Sequence, residues 1–303
     1  MKRIGLVLLG SLLVLAVNQS FAQVTDNPFE EFVRENATEL VGSVADPFTK
    51  VFSTAVTGGI YRSAATHGLL GFDVGVRGMF VLIPTGKSSV FDTVDVALFP
   101  LPVAQASLGL PMDTEVMVRG FAVKYKGTDV SLLGIGLKKN FKPLIPIPMF
   151  PDVAAMISYH RFKGSYTTFQ LSEVPFADLG LTPPPTGWDA TFDAGNLMSS
   201  THWSFDLIVS KKFSLVLISF QPYVGLGWDR SSMDYEWTIL ETQPAIPDSL
   251  LSLPMIMTGG SDVSSTRLTL GLDVSPFPFV HVFGDYNFGK FPQATAGLAI
   301  SFR

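Results

Sequence analysis

The sequence predicts an all-β fold, a transmembrane antiparallel up-and-down β-barrel of about ten strands with a short N-terminal helical segment. Three observations carry this. The 303 residues are 47% hydrophobic but only 16% charged, with mean hydropathy +0.34, where an average soluble domain carries ~25% charge. After the first two dozen residues no run of ~18 apolar residues occurs, so no helix long enough to span a bilayer is on offer. From Gly71 onward the apolar residues recur with a period of two. A bilayer accepts only helices or closed barrels, because every backbone polar group must be paired internally.

The composition also excludes several classes. Disorder needs low hydrophobicity and high charge. Nucleic-acid binding needs a cationic cluster, and the net charge is -5 without one. The absence of cysteine excludes disulfide scaffolds and thiolate chemistry.

Met1-Lys2-Arg3 is a basic start, Ile4 to Val17 an apolar run, and Ser20-Phe21-Ala22 a small-residue cleavage site. Residues 1–22 therefore read as a signal peptide, too short in its apolar part for a membrane anchor. Losing Lys2 and Arg3 takes the net charge from -5 to -7. Residues 23–66 form the helical segment and 67–303 the barrel.

Within 27–57 two helices are expected. Asn27, Pro28 and Glu30 make a start signal, and Phe29, Phe32 and Val33 open a stripe at helical spacing. Asp46-Pro47 repeats the start, Phe48 and Phe52 lead the second stripe, and Gly58-Gly59 ends it. Such a pair can plug a lumen or cap a barrel from the periplasm.

The strands alternate cleanly. Trp203, Phe205, Leu207 and Val209 alternate with Ser204, Asp206 and Ser210, and Leu268, Leu270, Leu272 and Val274 with Arg267, Thr269, Gly271 and Asp273. A soluble barrel alternates too, with its apolar set inward. Here the apolar set ends in aromatics (Tyr159, Trp203, Trp228, Phe288, Phe302), and the opposite set is small and polar with few lysines. That is a lipid-facing wall around a polar lumen. Expected strands are 71–83, 101–109, 114–124, 128–141, 152–164, 199–212, 215–230, 262–274, 279–288 and 293–302. Ten is even, as bacterial barrels require. It sends the gaps 84–100, 165–198 and 231–261 outward and leaves both chain ends periplasmic. Twelve or fourteen strands remain open if the long gaps hold hairpins, such as Tyr166–Glu173. The last strand points Ala296, Leu298, Ile300 and Phe302 outward and resembles the C-terminal signal read by the barrel-assembly machinery, with Arg303 as a one-residue departure.

Gly59-Ile60-Tyr61-Arg62-Ser63-Ala64, followed by His67 and Leu70-Gly71-Phe72-Asp73, resembles an uncharacterised family of outer-membrane barrels from Bacteroidetes-type bacteria. The resemblance covers nearly all of the mature chain. It implies a helix-then-barrel layout in the outer membrane, with no known activity. The layout is also loosely similar to hydrophobic-substrate outer-membrane transporters.

Catalytic and metal motifs are missing: no HExxH, GxSxG or P-loop occurs. His281 with Asp285, and His160 with Ser158, share strand faces, but the first pair is ~13 Å apart. No catalytic residue, metal or cofactor is expected. Parity assigns to the lumen Asp73, Arg77, Glu115, Arg119, Asp152, His160, Asp206, Gln221, Asp229, Arg267, Asp273, His281, Asp285 and Asn287. Acids outnumber arginines seven to three in this set. A mildly acidic lumen favours cations or neutral solutes. Alternatively Arg77, Arg119 and Arg267 pair with the acids and seal it. The proline-rich stretch 174–188 and the apolar stretch 244–257 read as outer loops able to form a lid or capture site. The expected role is passage or capture of a small solute, hydrophobic ones included, by a monomer whose other partner is outer-membrane lipid. A closed structural or adhesion barrel binding through its outer loops is the alternative, and a barrel-embedded hydrolase a third.

Overall fold

The computed structural model describes residues 49–83, 98–125, 128–142, 150–166, 174–175, 189–193, 198–215, 218–243, 255–289 and 291–302. Helix α1 covers residues 49–57. The strands are β1 (Phe72–Leu82), β2 (Leu98–Leu110), β3 (Thr114–Tyr125), β4 (Thr128–Asn140), β5 (Asp152–Tyr166), β6 (Val174–Pro175), β7 (Asp189–Asp193), β8 (Met198–Ser210), β9 (Phe213–Ser214), β10 (Ser219–Gln243), β11 (Met255–Phe277), β12 (Val280–Phe288) and β13 (Gln293–Phe302).

Ten of these close the barrel. The path runs β11-β12-β13-β1-β2-β3-β4-β5-β8-β10, and β10 pairs back onto β11. The seam joins the first strand to the last, with Phe72 opposite Phe302 and Val81 opposite Gln293. Every pairing is antiparallel between neighbours, so the up-and-down topology follows from the alternation and the short turns.

The alternation faces as the sequence predicts. Val74, Val76, Leu207, Leu226, Leu270 and Leu298 are exposed, while Asp73, Arg77, Asp206, Arg267 and Asp273 are buried. Aromatic pairs border the apolar band. Phe72–Phe302 and Phe213–Phe220 stack at the turn end with centroids 5.0 and 5.2 Å apart. Tyr159–Trp203 and Tyr286–Phe288 pair toward the other end, both at 4.8 Å. Beyond the second border Arg161, Lys163 and Arg230 are exposed. Short turns face the periplasm in such barrels.

Three expectations are corrected. The gap 231–261 is largely strand, because β10 and β11 run on past the lipid band as a hairpin of 25 and 23 residues. β7 pairs with β10 from Thr238 to Gln243, in the place β8 vacates above Tyr235. Met255, Ile256 and Met257, read as loop, therefore lie in β11. The helix start expected at Asp46-Pro47, and the helix from Asn27, lie outside the described residues. Finally, the described helix α1 lies inside the barrel toward its loop end and does not cap it from the periplasm. Phe52 packs against Phe99 and Phe162 near the loop end, and Thr49 donates to Met233 there. The main chain then descends to His67, whose amide donates to Glu115 at the turn end.

Why ten strands can hold a helix is a matter of size. Strands ~4.8 Å apart and tilted ~40° close ten at a backbone radius of about 10 Å, and a helix with side chains is ~10 Å across. The wall facing the segment must then be thin. At Gly225 an added Cβ would overlap Tyr61 Oη. Gly225→Ala is expected to cost ~1–3 kcal/mol by overpacking. Gly68→Ala, where a Cβ meets nothing within 4 Å, is the control. Guanidinium unfolding in detergent reads both.

Candidate functional site

The site is the lumen with the segment 49–67 inside it. α1 is amphipathic in an unusual sense. Val51, Phe52, Ala55 and Val56 are buried, and so are Thr49, Ser53 and Thr57. The helix is enclosed except along the half-buried face of Lys50 and Thr54, and its buried hydroxyls find wall partners. Ser53 Oγ lies 2.5 Å from Ser231 Oγ, and Arg267 donates to Thr57 Oγ1 at 3.1 Å. Gly59 ends it in the left-handed region, φ +62, the usual glycine cap.

Below the helix the backbone is irregular and has no strand to pair with. An unpaired buried carbonyl or amide costs ~1–3 kcal/mol. Wall side chains supply the partners. Arg119 donates to Val56 O and, at 2.8 Å, to Gly58 O. Arg77 donates to Gly59 O, and Gln105 to Ile60 O at 2.9 Å. Lys138 donates to Ser63 O at 3.3 Å, and Asn140 to Ala64 O at 3.2 Å. Ala64 N donates to Ser210 Oγ at 2.9 Å, and His67 N to Glu115 Oε2 at 3.0 Å. The arginines also sit where a helix C-terminus favours positive charge.

Arg62 is the hub of the turn end. Its guanidinium binds Asp73 at 2.8 Å, Asp273 at 2.6 Å, His281 Nδ1 at 2.8 Å and Ser301 Oγ at 3.0 Å. The Tyr61 hydroxyl donates to Thr269 Oγ1 at 3.0 Å.

Of the fourteen residues assigned by parity, twelve are buried and Asp152 and His281 half-buried, and their contacts differ. Arg267 alone of the three arginines pairs with acids, Asp206 at 2.6 Å and Asp229. Arg77 and Arg119 bind the segment instead, which corrects the cross-barrel pairing reading. Asp285 accepts from Tyr223 Oη at 2.9 Å and from Asn287. Asp152 reaches Lys142 at 3.5 Å near the rim, and Gln221 binds Ser210 at 2.9 Å. His160 Nε2 accepts from Arg119 at 2.9 Å. The acidic surplus is offset by Lys138, 3.3 Å from Glu115, and by Arg62. Both were absent from the sequence assignment, although Lys138 could have been found by parity. Of the five plug candidates, Phe52 is buried in the lumen. Phe29, Phe32, Val33 and Phe48 lie outside the described residues.

His202 lies between two hydroxyls, Ser200 Oγ at 2.8 Å from Nε2 and Ser231 Oγ at 2.7 Å from Nδ1, with a serine and not a carboxylate in the orienting place. Ser158 Oγ and His160 Nδ1 are both without a partner. Ser275 and Asp273 approach the same His281 nitrogen, Nδ1, whereas a triad needs nucleophile and orienter on opposite ring nitrogens of the histidine base. No group of three metal-binding side chains occurs among the described residues.

The model of a family described as a family of unknown function (DUF6588) matches residues 1–95 and 88–302. The chain belongs to this family. No curated protein matches this DUF6588 chain. Three solved structures resemble it at the level of the barrel. Ail, the attachment invasion locus protein of Yersinia pestis, is 9% identical over 77% of this chain and 99% of that one, TM-score 0.30. The Ralstonia pickettii toluene transporter TbuX is 8% identical over 83% and 93%, TM-score 0.32. A deltaS2S3 mutant of TodX, a monoaromatic hydrocarbon channel, is 8% identical over 83% and 98%, TM-score 0.37. Similarity this low says nothing of solute or partner. The DUF6588 chain is nonetheless an outer-membrane β-barrel on its own features, a closed antiparallel wall with an apolar outer band between aromatic borders.

Arg119→Met removes the donor to two helix-end carbonyls and leaves the wall backbone intact. Amide exchange of residues 50–60 is expected to accelerate at least about tenfold, one orphaned acceptor being worth ~1–3 kcal/mol. Exchange in the β4 and β5 amides should not change.

Proposed function

We propose that this barrel handles a small solute, by passage or capture, with its own N-terminal segment as the removable stopper and no covalent chemistry. One observation carries the reading. The segment 49–67 is held by reversible side-chain to main-chain hydrogen bonds, not by strand pairing, so the wall stays closed when it leaves. The protein is read as a monomer in lipid, delivered there through recognition of β13 by the assembly machinery.

A second reading draws on the β10–β11 hairpin. With β7 and β6 it raises a small sheet beyond the lipid band, a surface suited to adhesion.

Single-channel recording in planar bilayers separates the two. The full-length chain is expected to be silent or nearly so, and a variant lacking residues 24–67 to conduct. If the folded deletion variant is also silent, the passage reading fails and the projecting sheet becomes the site to test.

A further inference from the structure

We propose that the cavity at the turn end binds an amphiphile with one anionic head, a carboxylate or a phosphate monoester. This rests on the reading of the barrel as a solute handler and names the solute's chemical class. The cavity, about 490 Å³, falls within the range of small-molecule sites. It lies between the lower end of the lumen segment and the turns that join β9 to β10 and β11 to β12.

Its walls differ in chemistry. The inner wall carries Asp73, Glu115 and Asp273, and each already has a cationic partner, in Arg62 or Lys138. These carboxylates have little left to offer a cation. The donors have more. Lys138 gives one hydrogen to Glu115 and one to Ser63 O, and an ammonium has three. Lys212 lines the same space, is exposed, and has no ion-pair partner among the described residues. The spare capacity is that of a cationic donor, which selects an anion.

The outer wall is apolar. Leu215, Ile218, Phe277 and Phe279 line the cavity from the two turns and are all exposed. They continue the lower aromatic border formed by Phe213 and Phe220. An apolar tail laid on these side chains leaves water while its head stays with the lysines. A simple inorganic anion would make no use of this wall, and an alkane would strand the lysines.

The test uses the full chain in lipid nanodiscs, with empty nanodiscs as the partition blank. Calorimetric titration compares octanoate, octyl phosphate, 1-octanol and octylammonium. Both anions are expected to bind at least about tenfold more tightly than the alcohol or the ammonium, the scale of one hydrogen bond to a charged group. Lys212→Ala should weaken the anions several-fold and leave the alcohol unchanged, and Lys212→Arg should restore them. Tighter octyl phosphate points to a phospholipid-type source and tighter octanoate to a free carboxylate, and either order supports the proposal. Equal binding of all four, no binding above the blank, or anion affinity indifferent to Lys212→Ala overturns it. Binding is read at equilibrium with the segment in place. A silent deletion variant in the bilayer assay would therefore fail the passage reading without touching this one.

Discussion

An irregular backbone placed inside a membrane barrel has no strand to pair with, and the structure is arranged so that wall side chains take up five of its carbonyls and two of its amides between residues 58 and 67. Residues 58–67 form no helix and join no sheet, so their partners have to come from wall side chains. This explains the residues in the lumen better than any charge argument. Arg77, Arg119, Gln105, Lys138, Asn140 and Ser210 are long or short as their reach to a given main-chain atom demands. The acids then follow from the bases. Glu115 neutralises Lys138, and Asp73 with Asp273 neutralises Arg62. What looks like a selectivity lining is mostly a binding surface for the protein's own chain.

The wall was legible because lipid imposes a strict contrast between its faces. Wherever one side of a strand meets hydrocarbon, a one-residue error in register would expose the polar set, so parity fixes both face and strand. That contrast stops at the lipid border. In β10 the residues after Arg230 carry Ser232 and Asp234 on one side and Ser231 on the other. With no polarity difference to read, the upper hairpin passed for loop. The apolar Met255-Ile256-Met257 run added no alternation and was equally silent.

The lumen was legible in membership but not in partnership. Parity identifies Arg77, Arg119 and Arg267 as inward. It cannot say that the first two reach backbone carbonyls while the third holds two carboxylates, because a carbonyl acceptor has no sequence signature. The segment itself hid for a related reason. Ile60 to His67 is extended and irregular, with neither a 3.6 nor a 2 period, and its side chains are chosen one by one. Tyr61 is set by the gap over Gly225, and Arg62 by the two aspartates around it.

The direction of the segment carries a consequence for biogenesis. Residue 49 lies toward the loop end, residue 67 at the turn end, and β1 begins only five residues later. The polypeptide therefore passes through a ring of which it is also the first stave. Threading a finished ring would drag the upstream chain down its whole bore, past Arg119 and the Arg62 cluster. Bringing β13 onto β1 after the segment is already lying in the open sheet requires no threading at all. The first-to-last seam, Phe72 against Phe302, is thus the closure that encircles residues 49–67.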